Sequence, residues 1–341
     1  MITINNNENP TLSNRTGMSY LKRITSFRES ILLIVIAVVF LVMSLTSEFF
    51  LTQQTMLNLL MSLTVEGIIA IGMVILLVSG GLDLSAGANM AFTGVFTGLL
   101  LESGVPLVPA IVMGLLAGLG IGLFNGFLIA YVGLNPLITT LGTQMTFSGL
   151  MMMITKGKAV LMPVEFQMIG KGTLFGVQYP VYILIVLVII FDLLLRRSRV
   201  FRTSYYIGSN ENSAKFNGIN VKKIKLTNYV LAGLFAGLTG IVLAARLTTA
   251  SVTVGGDTAL RTITACIIGG ATLNGGEGTI LGGFLGVVFI QIISSSLNMM
   301  SVDVYLKTFV TGLILIAAIT LDVLNERRKN AKATALTDSR M

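Results

Sequence analysis

Residues 259–275, ALRTITACIIGGATLNG, decide how many times this chain crosses a membrane. The stretch is apolar but short, and Gly269 and Gly270 interrupt it. It reads as a span, a half-helix or a re-entrant segment, because backbone that leaves regular helix inside a bilayer lines a cavity or packs against protein. Nine other apolar runs are clear: about 31–47, 55–79, 84–101, 106–131, 135–154, 180–195, 226–247, 279–299 and 307–324. Parity chooses between nine and ten. With the N-terminus inside, ten crossings put both the 196–225 loop and the tail, which contains NERRKNAK, in the cytoplasm, whereas nine would send that basic tail outside.

Charge supports ten. Basic residues number four in the N-terminal arm (Arg15, Lys22, Arg23, Arg28), eight in the loop and five in the tail. Against these 17 stand six outside or at outer helix ends: Lys156, Lys158, Lys171, Arg246, Arg261 and Lys307. The bias follows the positive-inside rule and puts both termini in the cytoplasm. No small-residue cleavage pattern follows the first apolar run, so that run is expected to be an uncleaved signal anchor. The expected organisation is a cytoplasmic arm (1–30), a transmembrane domain (31–325) containing the cytoplasmic loop 196–225, and an unstructured cytoplasmic tail (326–341).

Composition agrees with an all-α polytopic membrane protein. Of 341 residues 54% are hydrophobic and 11% charged, against about 25% charged in soluble domains. With no histidine and a single cysteine, Cys266, the chain has no disulfide framework, His-ligated metal or histidine-based catalytic site. It also lacks a G-x-x-x-x-G-K-[ST] run, so ATP-driven work needs a partner. Neither cofactor nor metal is expected. The +8 charge is read as topology, not as nucleic-acid binding.

Glycines mark two further features. Gly80, Gly81, Gly87 and Gly94 recur as Gly269, Gly270, Gly276 and Gly283, an offset of 189 residues that suggests either a duplicated pair of turns at the cytoplasmic face or coincidence in a glycine-rich chain. Gly114, Gly118, Gly122 and Gly126 fall on one helical face, where close helix packing is expected in preference to a pore lining. Among ionisable groups, only Glu66 sits well inside a run, as an ion-coupling group or a polar anchor between helices. Asp83 is at a turn, and Asp192 is placed to pair with Arg196. Asn58, Asn89, Asn125, Asn135, Gln144, Gln291 and Asn298 scatter neutral polarity within or beside the runs, available to sugar hydroxyls or to interhelical hydrogen bonds.

In the 196–225 loop, Asn210 is placed as an N-cap, Glu211 suits a first turn and Gly218 suits a stop, predicting a helix over 211–217. So short a helix needs a surface to dock on, unless the loop is simply solvated.

Four motifs now carry a resemblance: GLDLSAGANMAFTG (81–94), GLNPLITTLGT (133–143), IGSNENSAKFNGINVKKIKLTNYVLAGLFAGLTGIVLAARL (207–247) and ACIIGGATLNGGEGTILGG (265–283). In this order and spacing the chain, from about residue 30 to 325, resembles the permease subunits of ribose-type monosaccharide ABC importers. The resemblance implies about ten helices in a type II importer fold and a homodimer or a dimer with a similar permease. It also implies a separate ABC ATPase and a periplasmic or extracellular sugar-binding protein. Gly208, Asn210, Glu211, Ala214 and Gly218 would belong to the segment that meets the ATPase. Ser209 stands where a second small residue such as glycine is frequent, and Asn212 and Ser213 where alanines are common. The expected function is a path for a pentose or hexose in the bacterial inner membrane, working by alternating access without bond chemistry, with Asn89, Asn125, Asn135, Gln144 and Asn298 as path candidates. A permease for branched-chain amino acids or a furanosyl signalling molecule, and an ion-coupled carrier using Glu66, remain the alternatives.

Overall fold

A computed structural model describes residues 27–300 and 302–338. The arm with Arg15, Lys22 and Arg23 therefore lies outside the described residues. Thirteen α-helices account for most of the rest: α1 Phe27–Thr46, α2 Gln53–Val78, α3 Ala86–Glu102, α4 Leu107–Phe127, α5 Pro136–Thr155, α6 Val164–Lys171, α7 Tyr179–Arg197, α8 Arg199–Ser209, α9 Glu211–Phe216, α10 Val221–Leu247, α11 Thr258–Ile268, α12 Ile280–Met299 and α13 Val304–Asp338. A π-helical turn, Leu128–Val132, closes α4. Seven helices among the described residues are long and apolar enough to cross a membrane, and they coincide with seven of the nine clear runs, all but 31–47 and 84–101. The chain is a multi-pass helical membrane protein.

Helix starts follow local chemistry. Thr52 accepts from the Thr55 backbone N–H ahead of α2, Asn135 from Leu137 ahead of α5, and Thr279 from Gly282 ahead of α12. Each cap satisfies a donor that would otherwise be orphaned in an apolar surrounding. The middle and end of α2 form the core: Ile68, Val74, Ile75, Leu76, Leu77 and Val78 are fully buried. The glycine face of α4 meets α10 as expected. A Cβ on Gly118 would stand 2.9 Å from Gly237, and one on Gly122 would stand 3.0 Å from Gly233. The backbones approach closely because neither helix carries a side chain there.

The stretch 259–275 is a half-helix, α11, followed by a turn. The segment of turns before it begins where β4 (Thr249–Ala250) pairs antiparallel with β1 (Val160–Leu161), and the turn after it reaches Gly278, whose carbonyl accepts from Tyr205 of α8. Between these points the chain travels from the β1/β4 end of the bundle to the α8 end. A run of turns over 252–257 supplies the first part of the passage and helix the second.

The glycine repeat is confined to two helix ends. Gly81 N–H donates to Leu76 at the end of α2, and Ala271 N–H to Cys266 at the end of α11, the same wrap-around closure. The left-handed residues are Gly80 (φ +72°) and Gly270 (φ +105°), so the backbones correspond at an offset of 190 rather than 189. Further along the match lapses, since Gly94 lies midway along α3 against α10 while Gly283 lies near the start of α12 against Val74.

Three points of the sequence reading are refined. Arg261, counted with the outer helix ends, lies half-buried in the first turn of α11, where it pairs with a buried carboxylate on α2. The tail 326–341 was expected to be unstructured, whereas α13 continues to Asp338, because residues 325–338 contain no glycine or proline and several good helix formers. Residues 156–178, unassigned in the sequence, fold into α6 and a hairpin of β2 (Thr173–Leu174) and β3 (Val177–Gln178) that cover the β1/β4 end.

Candidate functional site

The 196–225 loop is a structured tab. α8 packs on the bundle through Ser204, whose hydroxyl accepts from Asn228 at 3.0 Å, and through Tyr205, whose hydroxyl donates to Gly278 O at 2.6 Å. Burial, reinforced by the Asp192 carboxylate, pushes the Tyr205 phenol up to about 12, so it stays a donor at any physiological pH. Asp192 pairs with Arg196 at 2.7 Å and also accepts from Leu281 N–H, tying the end of α7 to the start of α12.

α9 begins where the sequence places it. The Asn210 side chain accepts from Ser213 N–H at 2.9 Å, and Gly218, at φ +77°, turns the chain away. Glu211 pairs with Lys215 at 2.7 Å and with Lys225 at 2.6 Å, clipping α9 to α10. Hydrogen bonds from Lys215 and then Lys225 hold the Glu211 carboxyl below its ordinary range. Ala214 does not face outward. It is 3% exposed and packs with Ile207 and Val221 in a small core belonging to the tab itself. What the tab presents is Phe216, 92% exposed, beside a groove of about 430 Å³ lined by Tyr206, Ser209, Asn210, Ser213 and Asn217. A fully exposed phenylalanine at the tip of a rigid element suits a partner surface, since buried aromatic anchors dominate protein interfaces.

Gly208, the penultimate residue of α8, is a joint. A Cβ there would stand 2.5 Å from the Gly276 nitrogen and closer still to the Val78 carbonyl oxygen. Those two groups are themselves hydrogen-bonded, Gly276 N–H to Val78 O at 2.9 Å. Gly275 in turn lies against both Gly208 and Gly80. The tab thus touches, backbone to backbone, the end of α2 and the loop that joins α11 to α12.

The scattered neutral residues divide. Asn89 is buried, donating to Gly118 O (3.1 Å) and Gly233 O (3.2 Å), which ties α3 to α4 and α10. Asn125 donates to Ser85 Oγ at 2.8 Å and accepts from Thr143 Oγ1 at 2.6 Å. Ser85 in turn donates to Asp83, so one buried network holds the start of α3 against α4 and α5. Asn135 is the α5 cap, and Gln144 is half-buried on α5. The structure does not gather these four with Asn298.

Asn298 belongs elsewhere, in a cavity of about 490 Å³ between α2, α11, α12 and α13. Glu66, Arg261, Gln291 and Lys307 also line it. Arg261 reaches Glu66 and Asp257, both at 3.3 Å, and Lys307 donates to the Asn298 side-chain oxygen. Sequence reading flagged Glu66 and Gln291 without their partners, because Arg261 lies 195 positions away from Glu66. Among the described residues no three His, Cys, Asp or Glu side chains gather as a metal site needs.

Comparison with known proteins adds a family. The family described as branched-chain amino acid transport system / permease component matches residues 55–319. The chain is 34% identical over 294 residues to the ribose import permease protein of Bacillus subtilis, covering 85% of this chain and 90% of that one. It is also 34% identical to the L-arabinose ABC transporter permease protein of Azospirillum brasilense (88% and 89% covered) and to the D-allose transport system permease protein of Escherichia coli (82% and 86%).

Proposed function

We infer, from the premise that this chain belongs to the family of branched-chain amino acid transport system permease components and is similar to permeases named for monosaccharides, that it is the membrane-spanning permease subunit of a monosaccharide ABC importer. It sits in the bacterial inner membrane as a multi-pass protein. An ATPase and a solute-binding protein are the partners such a subunit implies.

In the finer reading the chain crosses ten times with both termini in the cytoplasm, and a second permease subunit completes the translocation path. The 17 to 6 distribution of basic residues supports that orientation. The tab is the surface that meets the ATPase, with Phe216 as its anchor. The subunit itself moves solute and breaks no bond.

The observation that carries the coupling mechanism is the joint at Gly208. When ATP draws the two ATPase subunits together, a displaced α9 drags α8, and α8 cannot move without shifting the end of α2 and the loop that follows α11, because only backbone separates them. Each broken helix ends in a glycine turn that can absorb such a rotation. ATP energy biases the two access states only if contacts differ between them, and this joint is where they would differ.

The substrate class is tested in cells. Removal of this permease should abolish uptake of one labelled aldopentose or aldohexose and leave leucine uptake intact, with restoration by a plasmid copy. Loss of leucine uptake, with every monosaccharide unaffected, would contradict the sugar reading and favour the amino acid alternative.

A further inference from the structure

The cavity between α2, α11, α12 and α13 lies away from the tab, and its lining is unusual for the inside of a membrane bundle. Glu66 lies 12 residues before the end of α2, about 18 Å from the Gly208 joint at 1.5 Å per residue. It is therefore near mid-depth, where a carboxylate is expensive and is kept for a function or a partner. Its carboxyl interacts with Arg261 of α11 and Gln291 of α12, but the pairing is incomplete. Glu66 is 4% exposed, and its second carboxylate oxygen, Oε2, has no hydrogen-bond partner among the described residues. Leaving such an oxygen buried and unsatisfied carries a desolvation penalty. From this floor the cavity extends past Gln291 and Ser294 to Asn298 and Lys307 at the end opposite the tab.

The four charged lining groups, Glu66, Asp257, Arg261 and Lys307, sum to zero formal charge. An anionic sugar phosphate would upset that balance, whereas a neutral ligand preserves it. A carboxylate with a free oxygen, a guanidinium and two side-chain amides offer acceptors and donors at several directions, as adjacent hydroxyls on a ring require. The volume lies within the ~300–1,000 Å³ of small-molecule pockets.

We propose that this cavity is a binding site within the permease for a neutral polyhydroxyl solute, an aldopentose or aldohexose, with Glu66 Oε2 accepting a hydroxyl at its floor. The site rests on the monosaccharide reading above and adds to it a place where this chain itself recognises the sugar. Solute released from the soluble receptor at the mouth, near Asn298 and Lys307, descends to the Glu66–Arg261 pair, beyond which the path opens only when α11 shifts with the joint.

The test uses the assembled importer, permease with its ATPase, in lipid nanodiscs without the soluble receptor. Ser294→Cys places a thiol in the cavity wall, and the native Cys266 is fully buried and can remain. A panel of aldopentoses and aldohexoses, at millimolar concentration, should include one that slows maleimide labelling of that thiol, while L-leucine does not. Glu66→Gln should raise the protecting concentration about tenfold or more, the cost of weakening a charge-assisted hydrogen bond. Gln291→Leu should act in the same direction, so the result does not hang on one variant folding. Labelling that no sugar slows, by an importer that takes up sugar in receptor-containing vesicles, overturns the site and leaves the function standing. Protection by leucine with no uptake of any sugar overturns both. Protection that both variants leave unchanged removes Glu66 and Gln291 from the site and refutes the assignment.

Discussion

Replacing Gly208 with alanine should uncouple ATP hydrolysis from transport while leaving the permease folded. The added Cβ needs about 3.4 Å from neighbouring heavy atoms, yet it would find the Gly276 nitrogen at 2.5 Å and Val78 O nearer still. Both obstacles are backbone, so no rotamer change relieves them. Overpacking of this kind costs about 1–3 kcal/mol. Prising the two groups apart also stretches the Gly276 N–H to Val78 O bond of 2.9 Å, worth about 1 kcal/mol net. The sum, about 2–4 kcal/mol, falls only on states in which the joint is closed as here. A difference of 2.7 kcal/mol shifts a two-state equilibrium about a hundredfold. In proteoliposomes holding the ATPase and supplied with the binding protein, the variant should hydrolyse ATP at a rate no longer stimulated by receptor and sugar, with uptake down by at least tenfold. Gly120→Ala is the control, because a Cβ there meets nothing within 4 Å. Coupled uptake by Gly208→Ala at the parent rate would refute the joint.

The tab gives a contrasting pair: Phe216→Ala should weaken ATPase binding by about 2–4 kcal/mol with the permease intact. Ala214→Glu should instead break the tab's own core, seen as new protease cleavage within 199–225. Gly233→Val should lower the melting temperature of the purified subunit at a cost of about 1–3 kcal/mol or more, because its Cβ would meet Gly118 O at 2.6 Å and Gly122 Cα at 2.7 Å. For Glu211, whose carboxyl is lowered by Lys215 and Lys225, the stabilising pairs are fully present above its ordinary 4.5 and are lost as pH falls through the lowered value. Amide exchange across 211–216, corrected for intrinsic rates, should hold steady from pH 7 to pH 5 and quicken only below 4.5.

Much of the fold was legible because its signals are local. Long apolar runs fix the seven longer helices, and Asn210 and Gly218 bracket α9 by cap and left-handed turn chemistry. The glycine face of α4 announced a close helix contact, and α10 supplies it. What stayed hidden depends on residues distant in sequence. Nothing near Glu66 points to Arg261, and nothing near Gly208 points to Val78 and Gly276. Asn89 and Asn125 looked available for solute because their acceptors and donors lie on other helices. The burial of Ala214 did have a signal: Ile207, Ala214 and Val221 recur every seven positions through the tab, which is the pattern of a small shared core. α8 escaped notice because its arginines and hydroxyls mask its two buried positions, Ser204 and Ile207.

The energy source of transport tests the whole account most directly. The permease is reconstituted with its ATPase in vesicles, receptor and labelled sugar are added outside, and uptake is followed with ATP inside. Accumulation should require both ATP and the ATPase, and should continue when ionophores collapse the proton and sodium gradients. Uptake that persists without the ATPase, or stops on ionophore addition while ATP is still present, would contradict the account and make Glu66 the coupling group of a secondary carrier.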